Sequence, residues 1–206
     1  MDGLDLCPPC YRSLPYNKVA CPRCALAIEA RAPLLCGACQ KKPPAYDAAY
    51  ALLQYREPVR HLVQSLKFGA RYPIARLLGT LLAEQLKMRE DLPSAIIPVP
   101  LHAHRYRERG FNQAFEIAET VSGILNIQLD AQSCRRVHPT VAQARLPAKE
   151  RQKNLRKAFS VKTPLPYRHI AILDDVVTTG TTVNELAKTL KKAGAENIEV
   201  WAVARA

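Results

Sequence analysis

No apolar run in this 206-residue chain approaches the ~18 residues that a membrane-spanning helix needs, so insertion into a membrane is not expected. The start, Met1-Asp2-Gly3-Leu4-Asp5, lacks the basic residues of a secretory signal, which makes a soluble, cytoplasmic protein the expectation. A Walker loop (GxxxxGK followed by Ser or Thr) is absent, as is GxGxxG, and this argues against NTPase and dinucleotide-binding functions. No repeat of ~20–50 residues appears beyond a short cysteine series. What is present is globular. Apolar residues make up 48% and charged residues 23%, which rules out wholesale disorder. The length fits one α/β domain with a small appendage and suffices to bury roughly two-thirds of the unfolded surface.

Six of the seven cysteines form three pairs, Cys7-x-x-Cys10, Cys21-x-x-Cys24 and Cys36-x-x-Cys39. In a reducing compartment this spacing reads as zinc knuckles, because two thiolates three positions apart grip one face of an ion and a second pair completes a tetrahedron. A redox role is disfavoured by the lack of a βαβ pattern around the pairs. The proline-rich segment has little core of its own, and metal binding would supply the missing folding free energy. Six thiols exceed one four-coordinate site and fall short of two. Cys21, Cys24, Cys36 and Cys39 are the first choice, since Pro22 and Gly37 suit tight turns; Cys7 and Cys10 are a leftover pair or an alternative half-site. Cys134 stands alone and reads as a buried small hydrophobe.

After Lys41-Lys42-Pro43-Pro44 the composition turns to ordinary apolar periodicity, which places a boundary near residue 45. Strands are expected over 47–55, 95–100, 127–129, 134–137, 169–173 and 197–204. Helices are expected over 57–66, 73–88, 111–125, 180–193 and near 149–157. Strands alternating with helices predict a mostly parallel sheet covered on both faces.

The most informative stretch is Ile170-Ala171-Ile172-Leu173-Asp174-Asp175-Val176-Val177-Thr178-Thr179-Gly180-Thr181-Thr182. A buried strand delivers two carboxylates at its C-terminal end, where open α/β sheets bind ligands. A loop of hydroxyls and free N–H groups then opens into a helix and makes a cradle for a terminal phosphate. The acids suit sugar hydroxyls or a Mg²⁺ bridging to other phosphates. This motif resembles the phosphoribosyl pyrophosphate (PRPP) signature of type I phosphoribosyltransferases. The resemblance implies that Asp174 and Asp175 contact the ribose hydroxyls, as the candidate catalytic pair. It gives Thr178, Thr179, Gly180, Thr181 and Thr182 the 5′-phosphate.

Further stretches narrow the likeness. Leu66-Lys67-Phe68-Gly69, Pro98-Val99-Pro100-Leu101-His102, and Arg105 with Arg109-Gly110-Phe111-Asn112-Gln113, taken with the CxxC series, resemble the ComF family of competence proteins. The resemblance implies a zinc-ribbon module (residues 1–44) followed by a phosphoribosyltransferase-like α/β domain (45–206), with Zn²⁺ structural and Mg²⁺ accompanying PRPP. Many relatives have four CxxC pairs where this chain has three, which would leave Cys7 and Cys10 orphaned. Pro100, Leu101 and His102 match the family's pyrophosphate loop. Arg105 and Arg109 are suited to gripping pyrophosphate bidentately, with Lys67 reaching the same group.

Net charge is +12, and +8 of it falls within residues 101–169. Such clustering favours anionic partners. Residues 135–157 hold Arg135, Arg136, Arg145, Lys149, Arg151, Lys153, Arg156 and Lys157 against only Glu150. This segment matches the position of the hood loop that closes over phosphoribosyltransferase centres. It equally suits a nucleic-acid backbone, although Phe159 is its nearest aromatic and sequence-specific readout is not expected. The family resemblance favours a PRPP-binding protein that handles internalised single-stranded DNA during natural transformation. Alternatives are an active phosphoribosyltransferase with an unidentified nitrogenous acceptor, or a zinc-ribbon protein that docks a helicase or channel component, its phosphate site vestigial. If the basic run tracks DNA, replacing Arg151, Lys153 and Arg156 with Ala weakens binding and flattens its salt dependence, which a titration at several ionic strengths would read.

Overall fold

The computed structural model describes residues 5–30, 34–137 and 158–206. The basic positions Arg145, Lys149, Arg151, Lys153, Arg156 and Lys157, and the helix expected near 149–157, lie outside these residues. Two one-turn helices, α1 (Pro8–Arg12) and α2 (Gly37–Lys41), occupy the cysteine-rich region. The chain then runs through β1 (Ala48–Gln54), α3 (Val59–Gly69), α4 (Tyr72–Leu86), β2 (Ala95–Pro98), α5 (Ala103–Arg109), α6 (Gln113–Leu125) and β3 (Gln128–Leu129). A hairpin-like pair, β4 (Cys134–Arg136) and β5 (Phe159–Val161), precedes β6 (His169–Val177), α7 (Thr181–Lys192) and β7 (Asn197–Arg205).

Five strands form a parallel sheet in the order β1-β7-β6-β2-β3, and β4 pairs antiparallel with β5. The apolar runs of β6 and β7 are buried on both faces, as a central parallel strand requires. One face is covered by α3, α4 and α6, whose Leu66, Leu78, Leu82 and Ile117 pack with Trp201. On the other, α7 contributes Val183, Leu186, Ala187 and Leu190, the helical spacing read from the sequence. The expected parallel sheet with helices on both faces is therefore what the chain forms.

Strand order sets the place of the site. From β2 the chain continues outward to its neighbour β3, whereas from β6 it leaves the opposite way to β7. Two adjacent strands whose connections diverge open a crevice at their C-terminal ends, the point where such sheets bind ligands. The crevice here lies between the loop after β2 and the end of β6. On the same side, α6 opens on Asn112, whose side chain accepts from Ala114 N at 3.1 Å. Gly79 lets α4 and α6 meet closely: a Cβ there would stand 2.7 Å from Thr120 Cβ.

Element bounds differ from expectation in three instructive places. β6 does not stop at Leu173; Asp174, Val176 and Val177 go on pairing with Ala202, Ala204 and Arg205 of β7, so the acidic pair sits inside the strand. The helix α5 had no periodic signal because it buries nothing; the His102 side chain caps its start and Gly110, at φ +82°, ends it. β5 is three residues long and lies beside a segment with no apolar alternation.

The cysteine-rich region guards the sheet's exposed side. Tyr16 bridges antiparallel to Leu53, Asn17 N donates to Leu52 O at 2.9 Å, and Gln54 N donates to Pro15 O at 2.8 Å. These bonds cover the edge of β1, which would otherwise present unpaired backbone groups.

At the opposite end of the strands, buried Glu199 gathers the Arg89 guanidinium through both its nitrogens, Trp201 Nε1–H at 2.9 Å and His169 Nε2 at 3.1 Å. Burial alone would raise its pKa, but these donors outweigh burial and hold it below the ordinary value of 4.5. A depressed carboxylate contributes stability in full above that ordinary value and loses it as pH falls through the lower folded value. Glu199→Gln is expected to cost about 2 kcal/mol at neutral pH. It should also make the thermal midpoint less sensitive to pH below about 4.5 than in the parent, a difference that calorimetry across that range would measure.

Candidate functional site

The crevice between β2 and β6 holds a cavity of about 290 Å³ lined by Tyr55, Lys67, Val99, Leu101, Gln113, Arg136, Asp174, Asp175, Val176, Thr178 and Thr182. Asp175 is 3% exposed, and Lys67 Nζ, from the last turn of α3, lies 2.5 Å from its Oδ2. Its other oxygen faces Gln113 Nε2 at 3.5 Å, and Gln113 Oε1 in turn accepts from the Arg109 guanidinium. Asp174, half-buried, accepts from Asp175 N at 2.9 Å. Burial, and then the charge of Asp175 beside it, push the Asp174 carboxyl well above the usual carboxylate range. Burial opposes the charge on Lys67, yet Asp175 outweighs it and raises the ammonium pKa. Burial pulls down Arg109 and Arg136, against the pull of Asp175 and Asp174 respectively. The cavity thus joins a close acidic pair to two cations from other elements, Lys67 and Arg136, with Arg109 behind Gln113.

The hydroxyl loop is divided between two cavities. Thr178 and Thr182 face the acidic pair, whereas Thr179, Gly180 and Thr181 line a second space of about 250 Å³. Gly180, at φ +73°, caps α7 in a conformation that L side chains rarely adopt. Thr179 and Thr181 hydroxyls share a 2.8 Å hydrogen bond across it. The helix N-terminus and these hydroxyls make a surface suited to an anion.

The expected pyrophosphate residues are not gathered in one place. Leu101 and Lys67 line the acidic cavity; Pro100 and Leu101 line a larger cleft of about 620 Å³ on the α6 side of the same loop. Arg105 and Arg109 line a third, of about 460 Å³, together with Lys67. His102 is the cap of α5. Sequence reasoning passed over Tyr55 and the role of Gln113. A polar residue opening a helix, buried at 6% exposure, becomes notable only once β6 is seen beside it.

The second space is bounded on its far side by cysteines. The sulfurs of Cys21, Cys24, Cys36 and Cys39 all lie within 4.8 Å of one another. Cys24 and Cys36 Sγ stand 3.6 Å apart, close to the ~3.8 Å edge of a tetrahedron with ~2.3 Å metal–sulfur bonds. Despite burial, backbone N–H groups led by Cys36 lower the Cys21 thiol to about 7, while burial raises Cys24 and Cys39. Four crowded sulfurs with N–H donors around them suit a divalent cation, and this set could bind a metal such as zinc. Cys7 and Cys10 are exposed and outside the group; Cys134 is buried, its thiol pushed up to about 12 by burial. Arg205 ties this cluster to the loop: its guanidinium donates to Cys24 O at 3.0 Å, Val177 O at 3.2 Å and Thr178 O.

No family model matches the sequence. Competence protein F of Haemophilus influenzae is 40% identical over 216 residues, covering 98% of this chain and 90% of the relative. The DNA utilization protein YhgH of Escherichia coli strain K12 is 38% identical over 205 residues, covering 97% and 90%. The chain belongs to the ComF family. A more distant ComF-family relative, competence protein ComFC of Streptococcus pneumoniae, is 24% identical over 209 residues, covering 99% of this chain and 89% of its own. A purine phosphoribosyltransferase from Pyrococcus horikoshii overlaps 63% of this ComF-family chain and 80% of its own at 20% identity, with a TM-score of 0.39, too low to carry an argument. Among the described residues, no helix of this ComF-family protein is long and apolar enough to cross a membrane.

Cys39→Ser removes a buried member of the four-sulfur set. It is expected to abolish bound metal by elemental analysis and to lower the thermal midpoint, whereas Cys7→Ser with Cys10→Ser should alter neither.

Proposed function

We propose that this ComF-family protein binds PRPP as its magnesium complex in the crevice between β2 and β6, and that it acts in DNA uptake, handling internalised single strands in the cytoplasm. The observation carrying the PRPP reading is the convergence of Asp174, Asp175, Thr178 and Thr182 on one cavity at the sheet's switch point. Asp174 and Asp175 would take the ribose hydroxyls and, through their hard oxygens, the magnesium; the ion would supply charge that balances the pyrophosphate. Thr178–Thr182 would receive the 5′-phosphate with the α7 N-terminus. Lys67, Arg105 and Arg109, which line one cleft, would neutralise the pyrophosphate oxygens. The uptake role rests on the relatives named competence protein and DNA utilization protein.

We assign the four-cysteine set to structural zinc within a ribbon module of residues 1–44, and residues 45–206 to the phosphoribosyl-binding domain. Zinc held there would have a second task, because it would fix the knuckle whose carbonyl Arg205 grips while the same guanidinium holds the loop.

One observation favours transfer chemistry as a second reading. The 620 Å³ cleft shares Leu101 and Arg136 with the acidic cavity and carries Tyr106, Phe115 and Glu116, which is room for a nitrogenous acceptor. Calorimetry with PRPP and Mg²⁺ tests the main reading. Asp175→Asn is expected to weaken binding at least about tenfold, since it removes a charged ribose acceptor, and unchanged binding would remove the assignment. Pyrophosphate release in the presence of each common base separates the two: none supports a binding protein, and release that Asp175→Asn abolishes supports a transferase.

A further inference from the structure

Three aromatic side chains are strongly exposed among the described residues: Phe68 at 81%, Tyr106 at 51% and Tyr72 at 49%. All three lie around α5. Phe68, at the end of α3, forms a wall of the 460 Å³ cleft with Arg105, Glu108 and Arg109 of α5. Tyr106, on α5 itself, forms a wall of the 620 Å³ cleft with Arg107. Tyr72 packs in a tilted arrangement, ring centres 5.4 Å apart, against Phe111, which lines the first of these clefts.

The helix buries none of its residues, so it adds nothing to the core. It carries Arg105, Arg107 and Arg109 against the single acid Glu108, with Arg105 Nη1 3.7 Å from that carboxylate. The Arg109 guanidinium stands 5.9 Å from the centre of the Phe68 ring, close enough for a cation–π contact. Several exposed rings set among guanidinium groups make the kind of apolar, cationic patch that marks an interaction site. Elsewhere among the described residues, the exposed large apolar side chains are aliphatic.

We propose that α5 and the end of α3 form a binding surface for single-stranded polynucleotide. Bases stack on Phe68 and Tyr106, with Tyr72 at the rim, and the intervening phosphates meet Arg105, Arg107 and Arg109. Rings offer every base the same apolar face, and guanidinium groups meet a backbone that repeats regardless of sequence; together they give tight, sequence-tolerant binding. A duplex keeps its base faces stacked inside and has nothing to offer these rings. The proposal rests on the DNA-handling reading above and puts the strand on residues other than the basic run of 145–157. It also sets the strand against the acidic cavity, because Phe68 follows Lys67, the partner of Asp175.

The test uses the full chain and a fluorescently labelled oligothymidylate of about 20 nucleotides, read by anisotropy, beside a duplex of equal length. The parent is expected to bind the single strand at least about tenfold more tightly than the duplex. Phe68→Ala with Tyr106→Ala should raise the dissociation constant about tenfold or more, since each base–ring stack is worth that much by alanine substitution. Phe68→Trp keeps a stacking face and should restore parental affinity. Arg107→Ala should lower the salt slope by about one phosphate contact. Thermal midpoints of the variants confirm folding, and at 81% exposure Phe68 contributes little to the core. A parent that binds no oligothymidylate overturns this proposal and the DNA-handling reading together. Binding that survives the double alanine substitution overturns the surface alone, and equal affinity for duplex overturns stacking as its mode. The strand and PRPP share Arg105 and Arg109 of the 460 Å³ cleft, so PRPP is expected to compete with the strand there, whereas Phe68→Ala with Tyr106→Ala should leave PRPP affinity, read by calorimetry, close to parental.

Discussion

Two carboxylates side by side at the buried end of a parallel strand are an electrostatic problem that the rest of the fold is arranged to meet. Neighbouring acids in low dielectric cannot both ionise without help, and the raised carboxyl of Asp174 is the residue of that conflict. Help arrives from separate elements: Lys67 from α3, Gln113 from α6 with Arg109 behind it, and Arg136 from β4. None of these is near Asp174 in sequence. Each is delivered by the divergence of chain direction between β2 and β6, which turns a sheet edge into a crevice.

The same arrangement explains why the cations stand where they do. A buried acid that has recruited a lysine is balanced without a ligand, and any cation-bearing ligand must displace or share that lysine. Lys67 therefore belongs to the resting charge balance as much as to an anion site. Its position at the end of α3, one residue before an exposed phenylalanine and three before Ala70 in the left-handed region, links the charge of the crevice to the surface beside it.

Much of this was legible in the sequence, and the reasons differ by element. The central strands announce themselves as unbroken apolar runs, and α7 by apolar residues at helical spacing. The four sulfurs of Cys21, Cys24, Cys36 and Cys39 meet as their spacing and turn residues require. The strand-to-helix turn at Gly180 is a local device, readable from a local string. By contrast, α5 is held by a cap at each end and by no apolar face, so periodicity could not reveal it. Gln113 and Tyr55 enter the cavity only through tertiary packing. The two sides of the hydroxyl loop are also a matter of tertiary packing: Thr179, Gly180 and Thr181 line the space beside the cysteines while Thr178 and Thr182 line the one beside the acids.

The backbone bonds from Pro15 and Asn17 to the outer side of β1 bear on how the chain may be dissected. A parallel sheet stripped of that cover would expose Leu52 and Leu53 on an open edge, able to recruit a second sheet in place of the missing segment. The cysteine-rich region thus covers the sheet's edge as well as carrying a candidate metal set. Cutting it away to study the parallel sheet in isolation invites aggregation, whereas point substitution of its cysteines keeps the edge-covering segment in place.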